Sequence, residues 1–247
     1  MISSIQLKDH LDYPDEVEQI IKDRKFYELL NFTNFSFCKI PWYLFENIIL
    51  SNNKIIIKHV IDNMTCVNIY NCKYLIHHLV RLDDIKLFDY FVTKYFIDLN
   101  LRDLNSNATP IHFACRYGKQ KIMEYLVDKG VDLNLRDNSG WQVIHYVCRF
   151  GSLEMIEYMT NKKEIDLESR TGDGIKPIHM VCHNGEYDSI KLLLSKNIDL
   201  TSRIKTFHND YNNHNVIDTI SNNSKLTLNQ RQELIEFINK KIEFSSH

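Results

Sequence analysis

The sequence predicts an all-α solenoid built from stacked helix–turn–helix units, with degenerate units at both ends, and three observations carry that expectation. One phrase recurs: Ile111-His112-Phe113-Ala114-Cys115-Arg116-Tyr117-Gly118 returns as Ile144-His145-Tyr146-Val147-Cys148-Arg149-Phe150-Gly151, and again as Ile178-His179-Met180-Val181-Cys182-His183-Asn184-Gly185. Its histidines stand 33 and then 34 residues apart. At such a period short units stack, because none can bury its own apolar face alone. Each phrase is followed by an apolar stripe at helical spacing: Ile122, Met123, Leu126 and Val127, then Met155, Ile156 and Met159, then Ile190, Leu193 and Leu194.

The elements follow in order. Residues 1–40 read as an N-terminal capping region, with Val17, Ile20, Ile21 and Tyr27 on one helical face between Pro14 and Leu30. Residues 41–102 read as degenerate units. The first has a helix from Pro41 to about Ser51, a second through Ile55, Ile56, Val60 and Ile61, and a loop at Val67-Asn68-Ile69. The second aligns Leu75-Ile76-His77-His78-Leu79-Val80-Arg81 on the repeated phrase, with Asp83 where Gly118 stands, followed by Ile85, Leu87, Phe88, Phe91 and Val92. Its loop, Ile97 to Asp103, closely matches Val131 to Asp137.

Residues 103–203 hold three clear units. In the first, Thr109 suits the helix cap and Pro110 the first helical position, where a missing N–H costs nothing. Gly118 ends that helix and Gly130 the next, since a left-handed backbone is open to glycine. The connecting loops carry turn chemistry at their tips: Asp137-Asn138-Ser139-Gly140 and Thr171-Gly172-Asp173-Gly174. Residues 204–247 form an atypical closing unit. It comprises a polar insertion from Thr206 to Asn215, a first-helix start at Val216-Ile217-Asp218-Thr219-Ile220, and a charged helix from Gln230 to Ile242 with Leu234, Ile235 and Ile238 on one side. A polar outer face there protects the exposed end of a stack. No linker separates a second domain.

Thr109-Pro110-Ile111-His112-Phe113-Ala114, with Gly118 and then Gly130-Val131-Asp132-Leu133-Asn134, resembles the ankyrin repeat. Lys176-Pro177-Ile178-His179 keeps the proline of that motif, while Gln142-Val143-Ile144-His145 lacks it. The resemblance implies an ankyrin solenoid of about five units whose role is non-catalytic protein–protein binding through a concave face. It implies further that partners are held by loop tips and by the two positions before the first-helix glycine. Those positions are Arg116-Tyr117, Arg149-Phe150 and His183-Asn184, with Arg81-Leu82 in the preceding unit; the loop tips include Asn105, Asn138, Ser139, Trp141, Asp173 and Ile175. The expected partner-binding set is therefore Arg81, Arg116, Tyr117, Asn138, Ser139, Trp141, Arg149, Phe150, Asp173 and His183. A ladder of Arg81, Arg116 and Arg149 would favour a protein partner that presents acidic groups.

Two further resemblances bear on function. Leu126 with Asp132-Leu133-Asn134 resembles the sequence that intracellular asparaginyl hydroxylases accept in ankyrin loops, with Leu133 in place of the usual valine. Asn134 is thus a candidate for hydroxylation, or else a residue that fixes the loop through side-chain hydrogen bonds. The segment Ile40-Pro41-Trp42-Tyr43-Leu44-Phe45-Glu46-Asn47-Ile48-Ile49-Leu50 resembles the start of an F-box, which docks substrates onto ubiquitin ligases; its continuation into Ile55 to Ile61 fits an ankyrin second helix better.

Composition narrows the rest. A net charge of −2 over 247 residues provides no basic field for nucleic acid. Met1 to Glu16 has no apolar core of a signal peptide, and no apolar run reaches the ~18 residues that span a bilayer. The expectation is a monomer in the cytoplasm or nucleocytoplasm, of a host cell if the chain is viral or bacterial, with no membrane and no nucleic-acid partner. Cys115, Cys148 and Cys182 occupy one slot in successive helices, whose axes pack about 8–10 Å apart, whereas a disulfide needs Cα atoms within about 7 Å. Reduced thiols fit best, Cys38, Cys66 and Cys72 included. The pairs His112/Cys115, His145/Cys148 and His179/Cys182 have metal-ligand spacing on one helix face, but none completes four ligands, so neither metal nor cofactor is expected. No glycine-rich phosphate loop or nucleophile motif occurs, so no enzymatic activity is expected.

Overall fold

The structure, a computed structural model, describes residues 15–31, 42–64, 75–204 and 214–245. The expected loop at Val67-Asn68-Ile69, the cysteines Cys38, Cys66 and Cys72, and most of the Thr206 to Asn215 insertion lie outside those residues. The regular elements among the described residues are helical, and the backbone divides into two compact units, 1–104 and 105–247.

The first unit holds α1 (Asp15–Lys22), a 3-10 segment (Phe26–Asn31), α2 (Trp42–Leu50), α3 (Lys54–Asp62), α4 (75–79) running into a 3-10 turn (Val80–Leu82), and α5 (Ile85–Tyr95). Val17 and Ile21 are fully buried, as the helical face predicts, but Tyr27 is 68% exposed. The helix stops at Lys22 and Arg24 reverses the chain at φ 57°, which resets the phase, so Leu29 turns inward instead. In α3 the buried stripe is Ile56, Ile57, Val60 and Ile61, with Ile55 turned outward; Asn53 caps the helix by accepting from the amides of Ile55 and Ile56. Asp83, in the slot of Gly118, adopts the left-handed conformation at φ 53°, and Asp84 then caps α5 through the Leu87 amide at 3.1 Å. On the outer side, burial raises the Asp62 carboxyl, yet hydrogen bonds from Lys58, Tyr90 and Lys94 outweigh it and hold the group at about 2.

The second unit alternates first helices α6 (Pro110–Arg116), α8 (Val143–Phe150), α10 (Pro177–Asn184) and α12 (Val216–Ser221) with second helices α7 (Gln120–Asp128), α9 (Leu153–Thr160), α11 (Tyr187–Leu194) and α13 (Leu228–Ser245). Each first helix packs on its successor, and α9, α11 and α13 pack in sequence behind them. Small and β-branched side chains fill the seam between first helices: Ile111, Ile144 and Ile178, then Ala114, Val147 and Val181. Cys115, Cys148 and Cys182 are buried free thiols in one slot, and burial pushes their pKa well up, so they behave as small apolar groups.

The repeated histidines do the same work in every clear unit. His112 Nδ1 accepts from the Thr109 amide at 3.1 Å, His145 Nδ1 from Gln142 at 3.1 Å, and His179 Nδ1 from Lys176 at 3.3 Å. The opposite nitrogen meets a carbonyl in the following loop: Leu135 O at 3.1 Å, Ser169 O at 3.2 Å and Ser202 O at 3.2 Å. An amide can only donate and a carbonyl can only accept, so each ring is the neutral tautomer carrying its proton on Nε2. Both nitrogens are committed to backbone, which leaves none for a metal.

The glycine slot has two physical causes. Gly118 takes φ +64° and turns the chain so that the Lys119 amide returns to Ala114 O at 2.8 Å. Gly151 and Gly185 are extended instead, and a Cβ there would lie 2.7 Å from Val147 O and 2.4 Å from Val181 O. Close approach, not handedness, requires glycine at those two positions.

Burial holds His145 and His179 at about 4, below the ordinary 6.5. The unfolded chain therefore takes up these protons first as pH falls, so the stabilisation is complete above pH 6.5 and is eroded progressively down to about pH 4, by roughly 3 kcal/mol per histidine at the limit. Asp62 acts only lower, between 3.8 and about 2. Urea unfolding of the second unit at about pH 7 and about pH 5 should show the midpoint falling with unchanged slope; equal midpoints would contradict the assignment. Substitution separates the glycines in the same assay. Gly130→Ala, in open space at φ +76°, should cost about 1–2 kcal/mol, and Gly140→Ala, where a Cβ meets Gly172 N at 2.6 Å, should cost more.

Candidate functional site

The loops that join the repeats are braced from one to the next. The Asn138 amide donates to Ser106 O and the Gly172 amide to Ser139 O, both at 2.9 Å, while Asn138 Nδ2 donates to Asn105 O at 2.8 Å. Arg136 spans two tips, donating to Gly140 O at 2.7 Å and Arg170 O at 2.6 Å. Inside the first full tip, Asp137 is the hub. Its Oδ1 accepts from the amides of Ser139 and Trp141, each at 2.8 Å, and its Oδ2 from the Tyr146 hydroxyl at 2.7 Å. Burial, helped by that carboxylate, pushes the Tyr146 hydroxyl well above its usual pKa, so it remains a donor. In the next tip Thr171 takes the hub position, with its hydroxyl accepting from the Ile175 amide at 3.1 Å.

The aromatic residues grow out of this frame. Tyr146 packs edge-on against Trp141 at 5.1 Å and against His112 at 5.3 Å between ring centroids. The Arg149 guanidinium sits over both Trp141, at 5.6 Å, and Phe150, at 5.4 Å. Trp141, Arg149, Asp173 and His183 line one groove of about 690 Å³ with Ile175, Met180, Ile204 and Thr219. Arg116 borders a smaller hollow beside Ser106, Phe113 and Tyr146. Tyr117 (39% exposed) leans on Phe113 with centroids 6.0 Å apart, and Phe150 is 43% exposed. Among the described residues no carboxylate pairs with Arg116 or Arg149.

The remaining expected site residues stand elsewhere. Asn138 and Ser139 are exposed, but the hydrogen bonds described above commit them to the tip ladder. Arg81 belongs to the first unit, where its guanidinium lies 3.9 Å from Glu46. Asn134 stands at the loop base: its amide donates to Asp132 Oδ1 at 2.9 Å and its Nδ2 to Glu164 O in the next loop at 3.1 Å. Three features had no counterpart in the sequence reading. Asp137 is a hub, Met180 and Ile204 floor the groove, and Lys176 is 3% exposed with Nζ bonded to Glu168 at 2.5 Å and Asp199 at 2.8 Å. The Lys176 bond, with a second from Thr201, draws the Asp199 carboxyl far below its usual pKa. Lys176 occupies the cap slot of Thr109 and Gln142, and that alignment was the available signal.

Stacked helix pairs, bridging histidines and braced loop tips together define an ankyrin-repeat solenoid. The family model for ankyrin repeats (many copies) matches residues 111–160. The chain is also similar to Palmitoyltransferase AKR1 of Lachancea kluyveri, with 30% identity over 95 residues, a stretch that is 38% of this chain and 12% of that protein. Among the described residues no helix is long and apolar enough to cross a membrane, and no group of three His, Cys, Asp or Glu side chains could hold a metal ion.

Asp137→Ala removes the acceptor for three donors at once. The substitution should lower stability by about 1–3 kcal/mol and expose the Ser139 and Trp141 amides to fast hydrogen exchange. Retained protection at both amides would contradict the hub.

Proposed function

We propose that the protein is a non-catalytic binding module that holds a partner protein on the face formed by its loop tips and first-helix ends, and that the partner presents acidic groups there. The observation that carries this reading is the Trp141–Arg149–Phe150 stack, with Arg149 exposed, wedged against two rings and paired with no carboxylate among the described residues. Aromatic side chains and arginine dominate binding hot spots because they combine contact area with directional donors. A guanidinium stacked on a ring keeps its in-plane N–H groups available for a carboxylate. The frame beneath is hydrogen-bonded from repeat to repeat, so little side-chain and loop freedom remains to be lost on binding. Arg116 and Tyr117, one unit earlier, extend the same surface.

Charge reversal tests the reading. The double variant Arg116→Glu/Arg149→Glu should lose capture of the native partner by at least about tenfold, with an unchanged melting temperature because both side chains are exposed. Undiminished capture by the folded double variant would contradict it.

A further inference from the structure

The groove beside Trp141 is not uniform in charge, and the way its two loop tips are built explains why. The hub carboxylate of the first tip, Asp137, is consumed by the tip's own donors, as described above. In the second tip the hub is Thr171, whose amide donates to Ile175 O at 3.0 Å and whose carbonyl accepts from Gly174 at 2.9 Å. The acid of that tip, Asp173, has moved two places along, to the position of Ser139. It is exposed, and its carboxylate takes part in no hydrogen bond or ion pair among the described residues. The turn closes without it. Arg149 borders the same groove and does not pair with it either. Between these charges lies an apolar floor: Met180 and Ile204 are buried and Trp141 and Ile175 half-buried.

A cation and an anion kept apart in one groove favour an occupant that brings the opposite charge to each. The space, about 690 Å³, lies within the range of about 300–1,000 Å³ typical of clefts that seat a compact ligand. It suits a few side chains, not the flank of a domain. We propose that the groove binds a short peptide segment of the partner that places a carboxylate on Arg149, a Lys or Arg on Asp173, and an apolar side chain on the floor between Trp141, Ile175 and Met180. This deepens the binding reading given above and rests on it. Arg149 alone would select any acidic chain; Asp173 makes a uniformly acidic segment a poor fit, so the two charges together set specificity.

The test needs no native partner. A phage-displayed random dodecapeptide library is panned on the full chain, and the enriched peptides are synthesised and titrated by fluorescence anisotropy. The expected peptides carry an acidic and a basic residue with a large apolar one. Each should weaken at least tenfold on Arg149→Glu and on Asp173→Lys, and recover when the matching peptide charge is inverted. Arg149→Gln and Asp173→Asn serve in place of any reversal that lowers the melting temperature, and should weaken binding without rescue. Peptides that are lost on Trp141→Ala and Arg149→Glu yet indifferent to Asp173→Lys would overturn this inference and leave the broader binding face standing. Peptides indifferent to all three substitutions would overturn both. A library that yields no enriched peptide would overturn recognition of a short segment, while partner capture by the charge-reversed double variant still decides the broader reading.

Discussion

A neutral imidazole buried at the start of each first helix is the interaction on which the rest of the structure depends. The seam between repeats is apolar, so an amide at the helix start and a carbonyl in the loop would both be orphaned there without a partner. Histidine in one tautomer offers an acceptor at one end of a rigid ring and a donor at the other, and satisfies both. Because the carbonyls belong to Leu135, Ser169 and Ser202, each ring ties the start of its own unit to the loop that leads onward. The repeat spacing is thus locked by polar geometry as well as by apolar burial.

The opposite side of the stack is stapled by different chemistry. The Tyr158 hydroxyl reaches back to Asp128 at 3.5 Å, and Lys196 Nζ reaches Asn161 at 2.8 Å. Within the first unit Tyr90 and Lys94 both bond Asp62. A tyrosine with a lysine four places on recurs at Tyr90/Lys94, Tyr125/Lys129 and Tyr158/Lys162, and each lysine lies over its tyrosine ring. Cross-repeat bonds on both sides hold the second unit's loop tips in one arrangement, and that is what makes a binding surface out of connecting segments.

Much of the fold was legible because equivalence between repeats is written as period. The phrase around His112 located α6, α8 and α10, and the apolar stripes located the helices behind them. The αL position of Asp83 was legible from its alignment with Gly118. The site was less so, because period shows which residues share a slot and not what a different residue does there. Thr109, Gln142 and Lys176 share a cap slot, yet only Lys176 carries a charge that must find Glu168 and Asp199. Asn138 and Ser139 looked like free loop-tip residues, but their partners lie in the tips of neighbouring repeats. Tyr27 was misplaced by local geometry: a helical wheel continues past Lys22, whereas the chain turns.

The direct measurement of the central claim is the ring-nitrogen state of the three histidines by long-range proton–nitrogen NMR at neutral pH. The account predicts that His112, His145 and His179 each show a protonated Nε2 and an unprotonated, hydrogen-bonded Nδ1, and that His145 and His179 keep this pattern until the pH nears 4. Rings in mixed tautomers, or rings that titrate at the ordinary 6.5, would contradict it.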